Sequence, residues 1–210
     1  MRQWGPVILI TVINSACSVF GSRNEETPRY QVLIAEGDKE IRQYSPYVVA
    51  KTEVNGEYDS SQNEGFRILA GYIFGDNKSK SKIAMTAPVE QAKSEKIAMT
   101  APVEQVKSAT GWTMTFMMPS QYKIDDLPLP NDPRVKFEEI QSKTVAVIRY
   151  SGSRSEKSNT KKTEELFEWL KTKVEYVVDG SVRSAGYDPP WTLPPFRRNE
   201  MLVDIKKKTE

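Results

Sequence analysis

Residues Lys82 to Gln105 read KIAMTAPVEQ, then AKSE, then KIAMTAPVEQ again, and a chain that writes one segment twice must either place both copies or displace one. Within each copy the apolar side chains fall on alternate positions: Ile83, Met85, Ala87 and Val89, then Ile97, Met99, Ala101 and Val103. A period of two belongs to a strand with one buried face. The polar spacer Ala92 to Glu95 suits a reversal, which gives a hairpin with two identical arms. Register in a sheet rests on side-chain pattern, so identical arms also compete for one place, with the losing copy looped out. Both readings stay open.

The rest of the chain limits the chemistry. Its 210 residues suit one domain behind a leader. Lys and Arg number 30 against 28 Asp and Glu, with no run of five or more like charges, which argues against a nucleic-acid footprint. Histidine is absent, so Ser-His-Asp and Cys-His sites, histidine zinc sites and a histidine axial ligand to iron are all excluded. The single cysteine, Cys17, excludes an internal disulfide and any Cys-x-x-Cys motif.

Met1-Arg2 followed by the apolar run Val7 to Ile13 and the small residues Ser15 and Ala16 has the build of a signal peptide. The run is too short to span a bilayer as a helix. A lone cysteine directly after small residues resembles the bacterial lipoprotein cleavage box, although Asn14 stands where that box prefers leucine. The expectation is a signal peptide over 1–16, an acylated Cys17, a polar tether over 17–29 and a domain over 30–207. Acyl chains at Cys17 would hold the protein at a membrane, and Ser18 after the cysteine suggests the outer membrane, facing the periplasm. An ordinary secretory leader, giving a soluble periplasmic or secreted protein, is the alternative.

Within the domain, Tyr30 to Ala35, Glu40 to Tyr44 and Tyr47 to Val54 read as strands around a Gly37-Asp38 turn and a break at Pro46. The period then changes. Over Asp59 to Phe74, residues Phe66, Leu69, Ala70 and Ile73 share one side of a helix, with Ser61 and Glu64 spaced as a capping box. Trp112 to Met118, Val135 to Gln141 and Thr144 to Tyr150 follow as strands, with a proline-rich surface crossing over Leu127 to Pro133. Ser151 to Asn159 reads as a polar loop and Thr160 to Val177 as a second helix closed by Asp179-Gly180. Val182 to Gly186 and Met201 to Ile205 are short strands on either side of a second proline-dense crossing. The order predicts an α+β fold: an antiparallel barrel or paired sheets from two similar β-rich halves, each with one helix.

Four segments in this order carry a resemblance: NEGFRILAGYIFG (Asn63 to Gly75), KIAMTAPV, LPLPNDPRV (Leu127 to Val135), and AGYDPPW with RRNE (Ala185 to Trp191, Arg197 to Glu200). Over Tyr30 to Ile205 the chain resembles the SOUL haem-binding protein family, in particular its exported bacterial members. The resemblance implies a distorted β-barrel flanked by two helices, and non-covalent, reversible binding of haem or another tetrapyrrole. Effector-binding domains of bacterial regulators look similar in fold, which keeps other flat hydrophobic ligands open. One animal member is thought to hold haem through a histidine, which this chain lacks, so the implied mode is a hydrophobic groove beside the first helix. That places cofactor contacts on Phe66, Leu69, Ala70 and Ile73, with Leu170 and Val174 of the second helix facing them. Arg67 or Lys173 would pair with propionates.

The same residues have plainer readings. A helical stripe such as Phe66, Leu69, Ala70 and Ile73 also serves as core. Met85, Met99, Met114, Met117 and Met118 read as core filler before they read as iron ligands. Tyr72 and Tyr187 suit buried tyrosines bonded to backbone carbonyls, and Arg197 to Glu200 reads as a clasp that fixes the crossing onto the last strand. Glu138 and Glu139 point to opposite faces of one strand and cannot share a substrate. With no nucleophile elbow and no phosphate loop, the expectation is a binding protein and not an enzyme. The alternatives are a structural or interaction lipoprotein of the envelope, or a carboxylate-based activity on bound haem.

Overall fold

The computed structural model describes residues 25–79, 95–109, 111–189 and 191–208. The leader with Cys17, and the first KIAMTAPVEQ copy (82–91), lie outside the described residues. The N-terminal apolar and β-branched runs form β1 (Tyr30–Glu36), β2 (Lys39–Tyr44) and β3 (Tyr47–Asn55), followed by α1 (Tyr58–Ile73). Next come a two-residue β4 (Asn77–Lys78), β5 (Val103–Lys107), β6 (Gly111–Met117) and a two-residue β7 (Leu129–Pro130). The chain continues through β8 (Lys136–Ile140), β9 (Lys143–Tyr150), α2 (Glu156–Leu170), β10 (Tyr176–Gly186) and β11 (Asn199–Lys207).

Nine strands pair antiparallel in the order β1-β2-β9-β11-β10-β5-β6-β3-β8, and β4 pairs with β7 apart from them. Apart from β1, that order is a palindrome about the β10/β5 contact. Each half runs strand, strand, helix, strand, strand: β2, β3, α1, β5, β6, then β8, β9, α2, β10, β11. The first strand of each half pairs with the other half, β2 on β9 and β8 on β3. The α+β class and the paired halves therefore stand. The sheet is open, with β1 and β8 as its edges, so "barrel" describes it loosely.

Register carries both helices to one face of the sheet. Ala146, Val203 and Val182 are cross-strand partners beneath α2, and Ser184, Gln105, Met114 and Thr52 continue the row towards α1. α1 buries Leu69, Ala70 and Ile73 against Ala50, Met114 and Phe116, and α2 buries Leu166 against Ala146, Ile148 and Val203. Gly65 lets α1 approach closely, since a Cβ there would lie 3.1 Å from Met114 Cβ. On the opposite face Val145, Val147 and Leu202 form a third cluster with Tyr44, Ala185 and Tyr187.

Several local expectations change. β5, which carries the end of the second copy, has both edges taken, by β10 and β6, so no second arm pairs with it; the first copy of the expected hairpin lies outside the described residues. Upstream, 95–99 is not strand. Instead Ile97 N–H donates to Ile73 O at 2.8 Å, and Asn77 bonds the Glu95 backbone, pinning this stretch to the end of α1. The Ser61–Glu64 capping box is absent: the N-cap is Glu57, without a side-chain cap bond, and Ser61 is buried inside the helix. α2 begins at Glu156, inside the expected loop, because Ser155 Oγ accepts from Ser158 N–H and caps it there. The helix ends at Leu170, and Asp179-Gly180 falls within β10 at a register shift between Val178 and Val182. The crossing 127–133 is not wholly superficial, since Leu127 is fully buried and Leu129–Pro130 pairs with Asn77–Lys78.

Candidate functional site

Gly56, at φ +113°, turns the chain from β3 into α1, and this sets the N-terminal half of the helix beside two loops of the second half. Between them lies a cleft of about 360 Å³. Phe66 of α1, Val103 and Met114 supply apolar wall, Pro189 of the β10–β11 crossing adds to it, and Arg154 and Arg197 bring two guanidiniums to the same cleft. Asp59 and Asp188 line it as well, and Asp188 Oδ2 accepts the Arg198 N–H at 2.5 Å.

Arg154 is the electrostatic centre of this cleft. Its guanidinium lies where a Cβ on residue 186 would stand, 2.0 Å from such an atom, so only glycine at Gly186 leaves room for it. Its Nη1 donates to Val103 O at 3.4 Å, and it has no carboxylate partner among the described residues. Burial pushes this guanidinium below the ordinary arginine value; the Tyr58 and Tyr150 hydroxyls oppose that shift and Arg197 reinforces it. A half-buried cation facing a second cation favours an anionic group between them. Arg197 is steered by a bond from its Nε to Thr192 O at 2.7 Å.

The residues singled out from the sequence spread over different environments. Phe66 reaches the cleft, its ring 5.5 Å from Phe116. Leu69, Ala70 and Ile73 are buried beneath α1, and Arg67 is exposed with no hydrogen bond or ion pair among the described residues. Leu170 packs in the α2 cluster, away from Phe66, and Val174 lies beyond the end of α2 and is 71% exposed. Lys173 pairs with Glu36 and sits over the Trp169 ring. Met114, Met117 and Met118 are buried and Met99 is partly exposed, whereas Met85 lies outside the described residues.

Tyr72 donates to Pro128 O at 3.0 Å, as a buried tyrosine bonded to backbone should. Tyr187 donates instead to the Glu200 carboxylate at 2.6 Å. The RRNE segment is the clasp the sequence suggested: Tyr187 N–H donates to Arg198 O, and Asn199 Nδ2 to Gly152 O. Arg154 was missed because it sits in a loop without periodicity; the only local signal is an arginine between serines just ahead of a capped helix. Among the described residues no group of three or more His, Cys, Asp or Glu is placed to hold a metal ion.

The family model described as SOUL heme-binding protein matches residues 25–204. The chain belongs to the SOUL haem-binding family. The chain is also similar to Heme-binding protein 2 of mouse and of human, each 30% identical over 172 residues, covering 81% of this chain and 79% of the relative. Among solved structures, the EcmrR C-terminal domain aligns with a TM-score of 0.57 over 85% of this chain and 99% of that one. A hydrolase from Listeria innocua aligns with a TM-score of 0.53 over 83% and 94%. Both are 12% identical and show a shared fold alone.

Proposed function

We propose that this SOUL-family chain binds haem or a related tetrapyrrole reversibly in the cleft beside α1, without histidine ligation and without catalysing a reaction on it. The observation that carries this reading is Phe66 sharing the cleft with Arg154, a half-buried guanidinium without a carboxylate partner among the described residues. A flat apolar macrocycle with carboxylate arms needs an apolar wall and a cation at its edge. The cleft volume falls in the range of about 300–1,000 Å³ usual for small-molecule sites. With no histidine in the chain, residence rests on contact and charge pairing.

Haemin titrated into the purified chain should sharpen and shift its Soret band, saturating at one equivalent. Gly186→Ala, which removes the space the Arg154 guanidinium occupies, should weaken binding about tenfold, the worth of one charge-assisted hydrogen bond, while thermal unfolding stays cooperative. A linear, non-saturating response, or equal affinity in the variant, removes the reading. An interaction role is the alternative, favoured by Trp191 and Leu193, which are exposed on the β10–β11 crossing. It expects colourless protein from cells fed a haem precursor.

The leader supports a second part of the proposal, an envelope protein tethered by acylated Cys17. Expressed in a bacterial host, the chain should sediment with membranes, and Cys17→Ser should move it to the soluble fraction. A variant that still sediments overturns the anchor.

A further inference from the structure

A second cleft, of about 330 Å³, lies between α1 and α2 over the central strand pair β10/β5, and it shares no lining residue with the first. Its floor holds Gln105 and Ser184, direct cross-strand partners that are 2% and 4% exposed. Gln105 Nε2 and Ser184 Oγ have no hydrogen-bond partner. A buried polar atom left without a partner costs on the order of 1–3 kcal/mol, and here two stand side by side on the floor of one cavity.

Their surroundings fix what they offer. Gln105 Oε1 accepts from Gln62 Nε2 at 3.3 Å, which turns the amide so that Nε2 is the free group. Gln62 also reaches Tyr58 Oη at 3.4 Å, and Asn159 links Tyr58 to Tyr150 at 3.0 and 2.7 Å. This chain of bonds forms the partition between the two clefts and leaves those side chains engaged. What remains towards the cavity is an N–H donor beside a hydroxyl that is free to donate. The walls are apolar: Trp112, Phe167, Val182 and Met201. The rim carries Lys107 against Glu156 and Glu164, an excess of negative charge that disfavours an anion.

We infer that this cleft is a binding site, separate from the one beside α1, for a small neutral aromatic compound bearing a carbonyl oxygen, which accepts from Gln105 Nε2 and Ser184 Oγ while its ring lies between Trp112 and Phe167. A carbonyl oxygen has two lone pairs and answers two adjacent donors. An apolar body with one such oxygen matches a cavity in which polar atoms set orientation and apolar walls give contact.

Benzamide is the probe and toluene its acceptor-free control, both added to the full chain. Benzamide should bind saturably at one site and move the side-chain NH2 resonances of Gln105, assigned by their loss in Gln105→Leu. Toluene should bind at least tenfold more weakly. Ser184→Ala should weaken benzamide about fivefold, yet leave thermal stability unchanged or raised, because the hydroxyl it removes has no partner. Haemin affinity should not change when benzamide is present, which keeps this test independent of the haem reading. The inference is overturned by equal binding of toluene, by Ser184→Ala with unaltered affinity or lowered stability, or by competition with haemin. A benzamide-soaked crystal holding only water between Gln105 and Ser184 overturns it as well.

Discussion

Replacing Glu200 by glutamine should destabilise the fold by about 3–5 kcal/mol, the usual cost of breaking a buried ion pair from one side. The Glu200 and Arg42 side chains are both fully buried. Arg42 Nη1 and Nη2 donate to the two Glu200 oxygens at 2.9 and 3.1 Å, Arg198 adds bonds of 3.1 and 2.7 Å, and Tyr187 donates its hydroxyl. Glutamine keeps the shape but leaves the buried Arg42 guanidinium with Glu40 as its one remaining carboxylate among the described residues, beside the neutral Tyr44 hydroxyl and the Tyr30 ring. Against a total stability of roughly 5–15 kcal/mol for a domain, this is a large fraction, and urea unfolding measures it directly. A loss below about 1 kcal/mol would mean that water reaches the pair.

The same carboxylate sets an acid limit. Burial alone would push its proton affinity up; the Arg42 and Arg198 guanidiniums outweigh burial and hold it below the usual carboxylate range. A lowered folded-state value means the contribution is complete above the unfolded carboxylate value of about 4.3 and is lost as pH falls through the folded one. Asp204, lowered by Arg183 and Lys143 against its own burial, adds to the same limb. Wild-type stability should therefore fall steeply below about pH 4, and Glu200→Gln should show a shallower fall.

This cluster shows what a sequence does and does not carry. Alternation in β9 and β11 marks their buried faces, since neighbours in a strand point opposite ways. Nothing local marks Arg42 and Glu200, 158 residues apart, as partners, because their pairing follows from β2 and β11 both bonding to β9. The palindromic halves were legible as a repeated element order, whereas the exchange of β2 and β8 between halves was not, since pairing partners lie outside any window. For the second copy, alternation suggested strand from Ile97, whereas strand begins only at Val103, because the stretch before it is bonded to the end of α1 and to Asn77. Of the candidate site, helical spacing located Phe66 but not which flank of the stripe opens on the cleft. Arg154 and Gly186 have no period at all, and their meeting exists only once the loop before α2 is folded onto β10.

Phe66 and Leu69 lie one turn apart on α1, and aspartate at each should give opposite results. Leu69 is 0% exposed in the cluster beneath the helix. Leu69→Asp loses about 2–5 kcal/mol of apolar packing and then buries a carboxylate at a further cost of several kcal/mol, so circular dichroism at neutral pH should show an unfolded or molten chain. Phe66 is half-buried at the cleft and loses chiefly its contact with Phe116, worth about 0.5–1.5 kcal/mol beyond the area it covers. Its replacement should stay folded, with the new carboxylate beside Arg154 and Arg197, where it occupies the charge a propionate would seek. Haemin binding should then fall at least tenfold at near-normal stability. If Leu69→Asp stays folded and loses haemin while Phe66→Asp keeps it, the ligand enters beneath α1 and not beside it, and the cleft lined by Arg154 is not the tetrapyrrole site.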